Sequence, residues 1–495
     1  KHTTRRDVLQ AALGLAVSAP LAAARARDAA VALPASELDA VGTAAAIRNG
    51  SLSALDAVNE AIRRAEAAQP KINAIVTATF AQARQAAGSK PTGPLAGVPT
   101  FIKDLDDVKG VPTHSGSRSF GRTPATSQPP YTDAVQRAGL ISLGKSATPE
   151  FGLTATTEPL SSGVCRNPWN PDYSTGGSSG GAAALVAARV VPIAHATDGG
   201  GSIRIPASCC GVFGLKPSRG RTVSMGRPPA PLVISVANAV SISVRDNAQW
   251  FAATERTEED KVFEPVGWVR GPSKRRLKIA LDLESLAGTA LHPEVEAAIE
   301  DTAKKCEALG HKVEIAPVPI DKDAFFEAFL LYWSSAAANV SRELGKALGR
   351  PVTEQDLEPW TLGLAAYYAK RRDDFEAAVA TLRSSIGACD EFYERYDVLL
   401  TPTVNTPPPE IGFLAPNLPF ETHFERVKGF AGFTPIQNAS GTPGMSVPLH
   451  VSRAGLPIGS HFAAGLGNER TLFELAYELE EARPWAGRRA PGAVS

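Results

Sequence analysis

The chain has 495 residues, and its 51 Lys and Arg are matched by 51 Asp and Glu, so it lacks the basic surplus of a nucleic-acid binder. At 43% apolar and 21% charged residues it has ample material for a large core, which excludes disorder for its bulk. Five cysteines, two of them adjacent at Cys209-Cys210, form neither a disulfide framework nor a zinc-type spacing.

In chain order, Arg5-Arg6 comes first, just before an apolar, Ala/Gly-rich run from Ala11 to Ala24. Pro20 interrupts that run, and Ala24-Arg25-Ala26 offers small residues for cleavage. Residues 1–26 resemble a twin-arginine export signal, which implies a protein that is periplasmic or secreted after folding. The run is too short to span a bilayer, and no later uncharged stretch reaches the ~18 residues of a membrane helix. No stable membrane association is expected.

Leu38, Val41, Ala45 and Ile47 recur at helical spacing up to Asn49-Gly50. Ser53 predicts a cap for a second helix, with Leu55, Val58, Ile62 and Ala65 on one face and an end before Pro70. Gly97 to Asp104 and Leu140 to Leu143 read as short strands. A helix is predicted over Ala182 to Arg189 and a strand over Val190 to Ala196. Leu277 to Leu281, Pro293 to Leu309 and His311 to Ile315 form a β-α-β-like unit. Residues 321–396 read as almost wholly helical and concentrate Phe325, Phe326, Phe329, Tyr332, Trp333, Trp360, Tyr367 and Tyr368. Strands return at Val398-Leu399-Leu400 and Met445 to Leu449. This alternation predicts an α/β fold with its sheet covered on both faces. Without a linker or repeat, one large domain is favoured over the roughly three that length allows.

Two glycine-rich segments carry the chemistry. Thr175-Gly176-Gly177-Ser178-Ser179-Gly180-Gly181 precedes the predicted helix, and Asp198-Gly199-Gly200-Gly201-Ser202-Ile203-Arg204 follows the strand. A helix that runs back across a sheet and a returning strand place both segments at one edge. Ser178, Ser179 and Ser202 therefore converge, although about two dozen residues of sequence separate the two segments. Ligands of open α/β sheets bind at such an edge, and Lys103 ends another predicted strand there. The N–H groups of Gly199, Gly200, Gly201 and Ser202 suit an oxyanion or a phosphate. No GxxxxGK[ST] or GxGxxG supports the phosphate. Gly177 to Gly181 matches G-x-S-x-G with Ser179 at its centre, but the Pro-, Asn- and Asp-rich residues before it are loop. A nucleophile elbow needs a buried strand there.

Lys103-Asp104, Gly176 to Gly181, Asp198 to Pro206, Cys210 to Pro217 and Arg245-Asp246 together resemble the amidase signature family over nearly the whole chain. Gly349-Arg350-Pro351-Val352-Thr353-Glu354 is similar to members resembling 6-aminohexanoate-cyclic-dimer hydrolase. The resemblance implies the amidase signature fold, a central mixed β-sheet covered by helices on both faces. One amidase domain would span residues 35–490, with a largely helical substrate-side section at about 321–396.

For activity, the resemblance implies an amidohydrolase. Ser202 would be the nucleophile that forms an acyl-enzyme, Ser178 a bridging serine behind a cis Gly177–Ser178 peptide, and Lys103 the general base. Gly199, Gly200, Gly201 and Ser202 would supply the oxyanion hole, with Thr175, Gly177, Ser179, Asp198 and Arg204 in support. Neither cofactor nor metal is required. Gly199 stands where members often carry a larger residue, which implies a more flexible loop. Lys103 must be neutral to act, and burial beside Phe101-Ile102 would lower it from the ~10.4 of a free lysine. The ordinary alternative is a surface lysine paired with Asp104. His195, Cys165 and Cys210 read as structural, with Cys165 placed near the substrate channel. The aromatic section would wall a pocket for a small-molecule amide: an aryl or aliphatic amide, a nylon-type oligomer or a carbamate. An esterase of the same fold and a noncatalytic amide-binding protein are the alternatives, and a homodimer is left open.

Overall fold

The computed structural model describes residues 38–121, 123–257 and 261–494, so the export signal expected over 1–26 lies outside the described residues. Three strands, β1 (Ile75–Ala78), β2 (Pro99–Lys103) and β3 (Ile141–Ser146), pair in the order β1-β3-β2. A short hairpin joins β4 (Arg166–Asn167) to β5 (Asn170–Ser174). The large sheet comprises β6 (Ile193–Asp198), β7 (Phe213–Lys216), β8 (Val236–Ser241), β9 (Lys278–Leu281), β10 (Lys312–Ile315), β11 (Val398–Pro402), β12 (Gly444–Val451) and β13 (Pro457–Ala464). Their order is β10-β9-β11-β13-β12-β7-β8-β6. β9 pairs parallel with β10 and β11, and the remaining pairs are antiparallel, so the sheet is mixed.

The two sheets meet between β2 and β6. Thr100 Oγ1 donates to the Ile193 carbonyl at 3.0 Å, and the Lys103 N–H donates to His195 Nδ1 at 3.2 Å. Side chains thus stitch a seam where a backbone ladder would otherwise run.

Period-two alternation along the strands feeds opposite faces. Ala194, Ala196 and Val240 pack with the helices Ala54–Ile72 and Gly180–Ala187, whereas Ile193, Ala237 and Ala239 pack with Tyr131, Val135 and Trp250. Farther along, Ile279, Leu400 and Phe462 face Phe251, Ile299 and Leu472, while Ala280, Leu399 and Ala463 face the aromatic helices. Helices therefore cover both faces. The aromatic section consists of the helices Lys322–Leu348, Pro359–Lys370 and Phe375–Arg395.

The Ser53 cap is formed, with its Oγ accepting the Asp56 N–H at 3.0 Å. Two expected boundaries move. The capped helix runs through Pro70 to Ile72, because a proline in the last turn forfeits little pairing, and Asn73 at φ 47° ends it. The strand expected from Val190 begins at Ile193, since Arg189 at φ 63° and Pro192 turn the chain first. Asp246, fully buried, accepts the Ala40 and Val41 N–H groups at 2.8 and 2.9 Å and so tethers the first helix, Ala40–Arg48.

Candidate active site

Lys103 closes β2 with its side chain fully buried. Its Nζ donates to Ser178 Oγ at 2.7 Å and to Thr197 Oγ1 at 3.0 Å. Asp104 is not its ion partner, for Asp104 Oδ1 lies 3.2 Å from Lys145 Nζ instead. Burial lowers Lys103 to about 7, helped by Arg227 and opposed by Asp106 and Asp198. An amine balanced near neutrality can accept a proton at physiological pH.

Two loops present the serines. The helix Gly180–Ala187 is buried on every side, and its first turn is jammed against its surroundings. A Cβ at Gly180 would stand 2.2 Å from Thr175 Oγ1, and one at Gly181 would stand 2.3 Å from the Ala147 nitrogen. The Gly177–Ser178 peptide before it is cis. Ser179 clamps this loop to β6: its Oγ donates to the Thr197 carbonyl at 3.2 Å and accepts the Thr197 N–H at 3.3 Å. Its own N–H donates to the Ser202 carbonyl at 3.3 Å, which ties the two serine loops together.

Asp198, the last residue of β6, organises the second loop. Oδ1 accepts the Gly201 N–H at 2.7 Å and Arg204 Nη2 at 3.0 Å, and Oδ2 accepts the Ile203 N–H at 3.1 Å and Arg204 Nε at 2.9 Å. Burial would raise this carboxyl, but the charge and hydrogen bonds of Arg204 outweigh it and hold Asp198 well below the usual carboxylate range. Asn438 and Gln437 complete the bracing, with Asn438 Nδ2 on Asp198 Oδ1 at 2.9 Å and Arg204 Nη1 on Gln437 Oε1 at 3.0 Å.

The expected donor set narrows as a result. The Gly201 N–H is committed to Asp198, whereas the N–H groups of Gly199, Gly200 and Ser202 have no acceptor among the described residues. Gly199 is also not a source of slack. A Cβ there would meet Ser235 Oγ at 2.9 Å and Trp333 Cζ3 at 3.2 Å, so the glycine is the room that Trp333 occupies.

Ser202, Gly177 and Gly200 line a narrow cleft walled by Leu153, Phe326, Phe329, Trp333, Trp360 and Val427. Its apolar lining suits a small organic ligand. The indole N–H groups of Trp333 and Trp360 converge on one acceptor, the Leu153 carbonyl, at 3.1 and 3.0 Å.

The amidase family profile matches residues 56–473. The chain belongs to the amidase family. It is 44% identical over 458 residues to the putative amidase AmiC of Mycobacterium tuberculosis strain ATCC 25618 / H37Rv, covering 92% of this chain and 96% of that protein. It is 36% identical over 484 residues to 6-aminohexanoate-cyclic-dimer hydrolase of Pseudomonas sp. strain NK87, covering 91% and 96%. Among solved structures, 6-aminohexanoate cyclic dimer hydrolase complexed with substrate superposes with a TM-score of 0.83 at 32% identity, over 93% of this chain and all of that one. The α/β amidase signature fold is thereby established, and the protein is an amidohydrolase.

In this amidase Ser178, Ser179 and Ser202 converge beside the end of β6, as topology predicted, while Lys103 reaches them from β2 across the seam and Asp198 and Arg204 brace the Ser202 loop. Thr175 Oγ1 donates to the Gly176 carbonyl at 3.0 Å, and the Thr175 carbonyl accepts Cys210 Sγ at 3.5 Å. Cys165 and Cys210 lie in the core beneath the serine helix, and neither lines the cleft. Burial pushes the Cys165 thiol up to about 12, and all five cysteines are free. His195 is a seam residue, lowered to about 4 chiefly by burial. Thr197 was not foreseen, although its place before Asp198 on the same strand was the available signal. Among the described residues no cluster of three metal-ligating side chains occurs, and no helix is long and apolar enough to cross a membrane.

Proposed function

We propose that this amidohydrolase works through a Ser202 acyl-enzyme, with Ser178 and Lys103 as its proton relay. The observation that carries this reading is the 2.7 Å bond from buried Lys103 Nζ to Ser178 Oγ, beside a cleft lined by Ser202. Ser202 Oγ attacks the amide carbonyl carbon while its proton passes to Ser178 Oγ, whose own proton moves to Lys103 Nζ. The tetrahedral oxyanion faces the N–H groups of Gly199, Gly200 and Ser202. Collapse breaks the carbon–nitrogen bond as Lys103 returns the proton through Ser178 to the leaving nitrogen. Water then attacks the ester, activated by the same relay, and regenerates Ser202.

The apolar, aromatic cleft favours aryl or aliphatic amides, amide oligomers of the nylon type or carbamates. Similarity to a cyclic amide-dimer hydrolase supports the oligomer class. We place the enzyme outside the cytoplasm on the strength of residues 1–26, a reading that cell fractionation of an Arg5→Lys/Arg6→Lys variant tests.

The deciding experiment measures amine release from a panel of aryl amides, linear and cyclic amino-acid oligomers, carbamates and matched esters. Turnover lost in Ser202→Ala and kept in Ser179→Ala is the expected result. Wild-type activity in Ser202→Ala sinks the mechanism, and turnover of the matched esters with no amide or carbamate cleaved favours the esterase reading.

A further inference from the structure

We propose that a second cavity beside the catalytic cleft is a subsite for a carboxylate at the distal end of the substrate, received by Arg219. This rests on the amidohydrolase reading above and names a feature of its substrate. The cavity holds about 720 Å³ and opens to solvent between the loop 222–235 and the helices Lys322–Leu348 and Pro359–Lys370. Leu153 and Trp333 line both spaces, and the Trp333 indole, held on the Leu153 carbonyl, stands at the border between them. A substrate longer than the cleft therefore continues past one indole into the second cavity.

The charge of this lining is one-sided. Arg219, Arg227 and Arg256 contribute to it, and no Asp or Glu does. Arg227 is compensated, because its Nη2 lies 2.7 Å from Asp106 Oδ1. Arg219 is not. Its Nη2 donates only to uncharged carbonyls, those of Asn438 at 3.0 Å and Ala439 at 2.5 Å. Its Nε is buried with no hydrogen-bond partner among the described residues. With Nη2 spent on those carbonyls and Nε sealed from solvent, Nη1 is the donor left for a carboxylate, and no acidic residue lines the cavity to compete for it.

The placement is rigid. Asn438 and Ala439 belong to the helix Pro435–Ser440, whose Pro435 lines the catalytic cleft and whose Asn438 also bonds to Asp198. The scaffold that braces the Ser202 loop therefore fixes Arg219 as well. Tyr368 and Phe375 supply an apolar flank for the connecting chain.

The test uses two substrate pairs, each a carboxylate against its primary amide. Adipic acid monoanilide and its terminal carboxamide vary the acyl side, while linear 6-aminohexanoate dimer and its terminal carboxamide vary the amine side. The expected result is a higher kcat/KM for the acid in at least one pair, with that preference falling about tenfold or more in Arg219→Gln, mainly through KM. Turnover of both pairs without an acid preference overturns the subsite and leaves the amidohydrolase reading standing. If neither pair turns over, calorimetric binding to Ser202→Ala decides. Tighter binding of an acid than of its amide, abolished by adding Arg219→Gln, upholds the subsite, and equal binding of both overturns it.

Discussion

The two sides of the cleft are built in opposite ways. The polar side is backbone and short side chains, held by strand ends and by loops so tight that Gly180 and Gly181 have no room for a methyl group. The apolar side is made of long side chains, half of them on one helix, with Phe326, Phe329 and Trp333 at helical spacing and Phe325, Phe329 and Trp333 stacked at 6.2 and 5.9 Å. A change on the first side alters a donor, a charge or a backbone path. A change on the second alters volume. Chemistry is thus fixed where the structure cannot give, and selectivity sits where it can be recut.

The sharpest way to break that contrast is Ser202→Ala, for which we expect a fall in kcat on the order of 10³ to 10⁶, read as amine release. The control Ser179→Ala removes a clamp and keeps measurable turnover. A comparable loss is expected for Lys103→Met, and Lys103→Arg does not restore it, because a guanidinium does not release its proton. In the wild type, kcat/KM rises with pH through about 7 as Lys103 becomes neutral, and this rise is absent from the residual activity of Lys103→Met. The same shift has a stability consequence with a definite sign. The folded value lies below the unfolded ~10.4, so unfolding takes up a proton between the two values. The contribution of this group to stability therefore grows with rising pH across that window and is smallest below about 7.

Arg204→Met comes next and strikes the brace rather than the chemistry. It leaves Asp198 buried without its counter-charge and costs about 3–5 kcal/mol, measurable by chemical denaturation. Trp333→Phe is the mildest. It keeps the ring and loses the bond to Leu153, so KM for bulky aryl amides shifts by a few-fold with little change in kcat. A large loss of kcat there would erase the division between the two sides.

Much of the site was legible in the sequence because topology, not distance along the chain, brings its parts together. A helix out and a strand back necessarily return Ser178 and Ser202 to one edge, and glycine clusters marked both loops. Hydrogen bonds made across the fold were not legible. Nothing in the local pattern separates a Gly201 N–H spent on Asp198 from its neighbours, and the place of Thr197 beside Asp198 puts it near the site without showing that its hydroxyl accepts from Lys103. Lys103 and Lys145 both end up buried, and only the fold decides which one faces Asp104. The helix through Pro70 shows the same limit, since a breaker in a last turn is tolerated where packing continues.

The shared acceptor at Leu153 gives this enzyme a built-in optical reporter. Two indoles sit on the cleft wall with their N–H groups on one carbonyl, and Trp169, Trp250, Trp268 and Trp485 all lie outside the lining. A ligand entering the cleft changes the polarity around Trp333 and Trp360 while leaving the other four surroundings as they were. Occupancy can therefore be followed by intrinsic emission, without a label and without waiting for turnover.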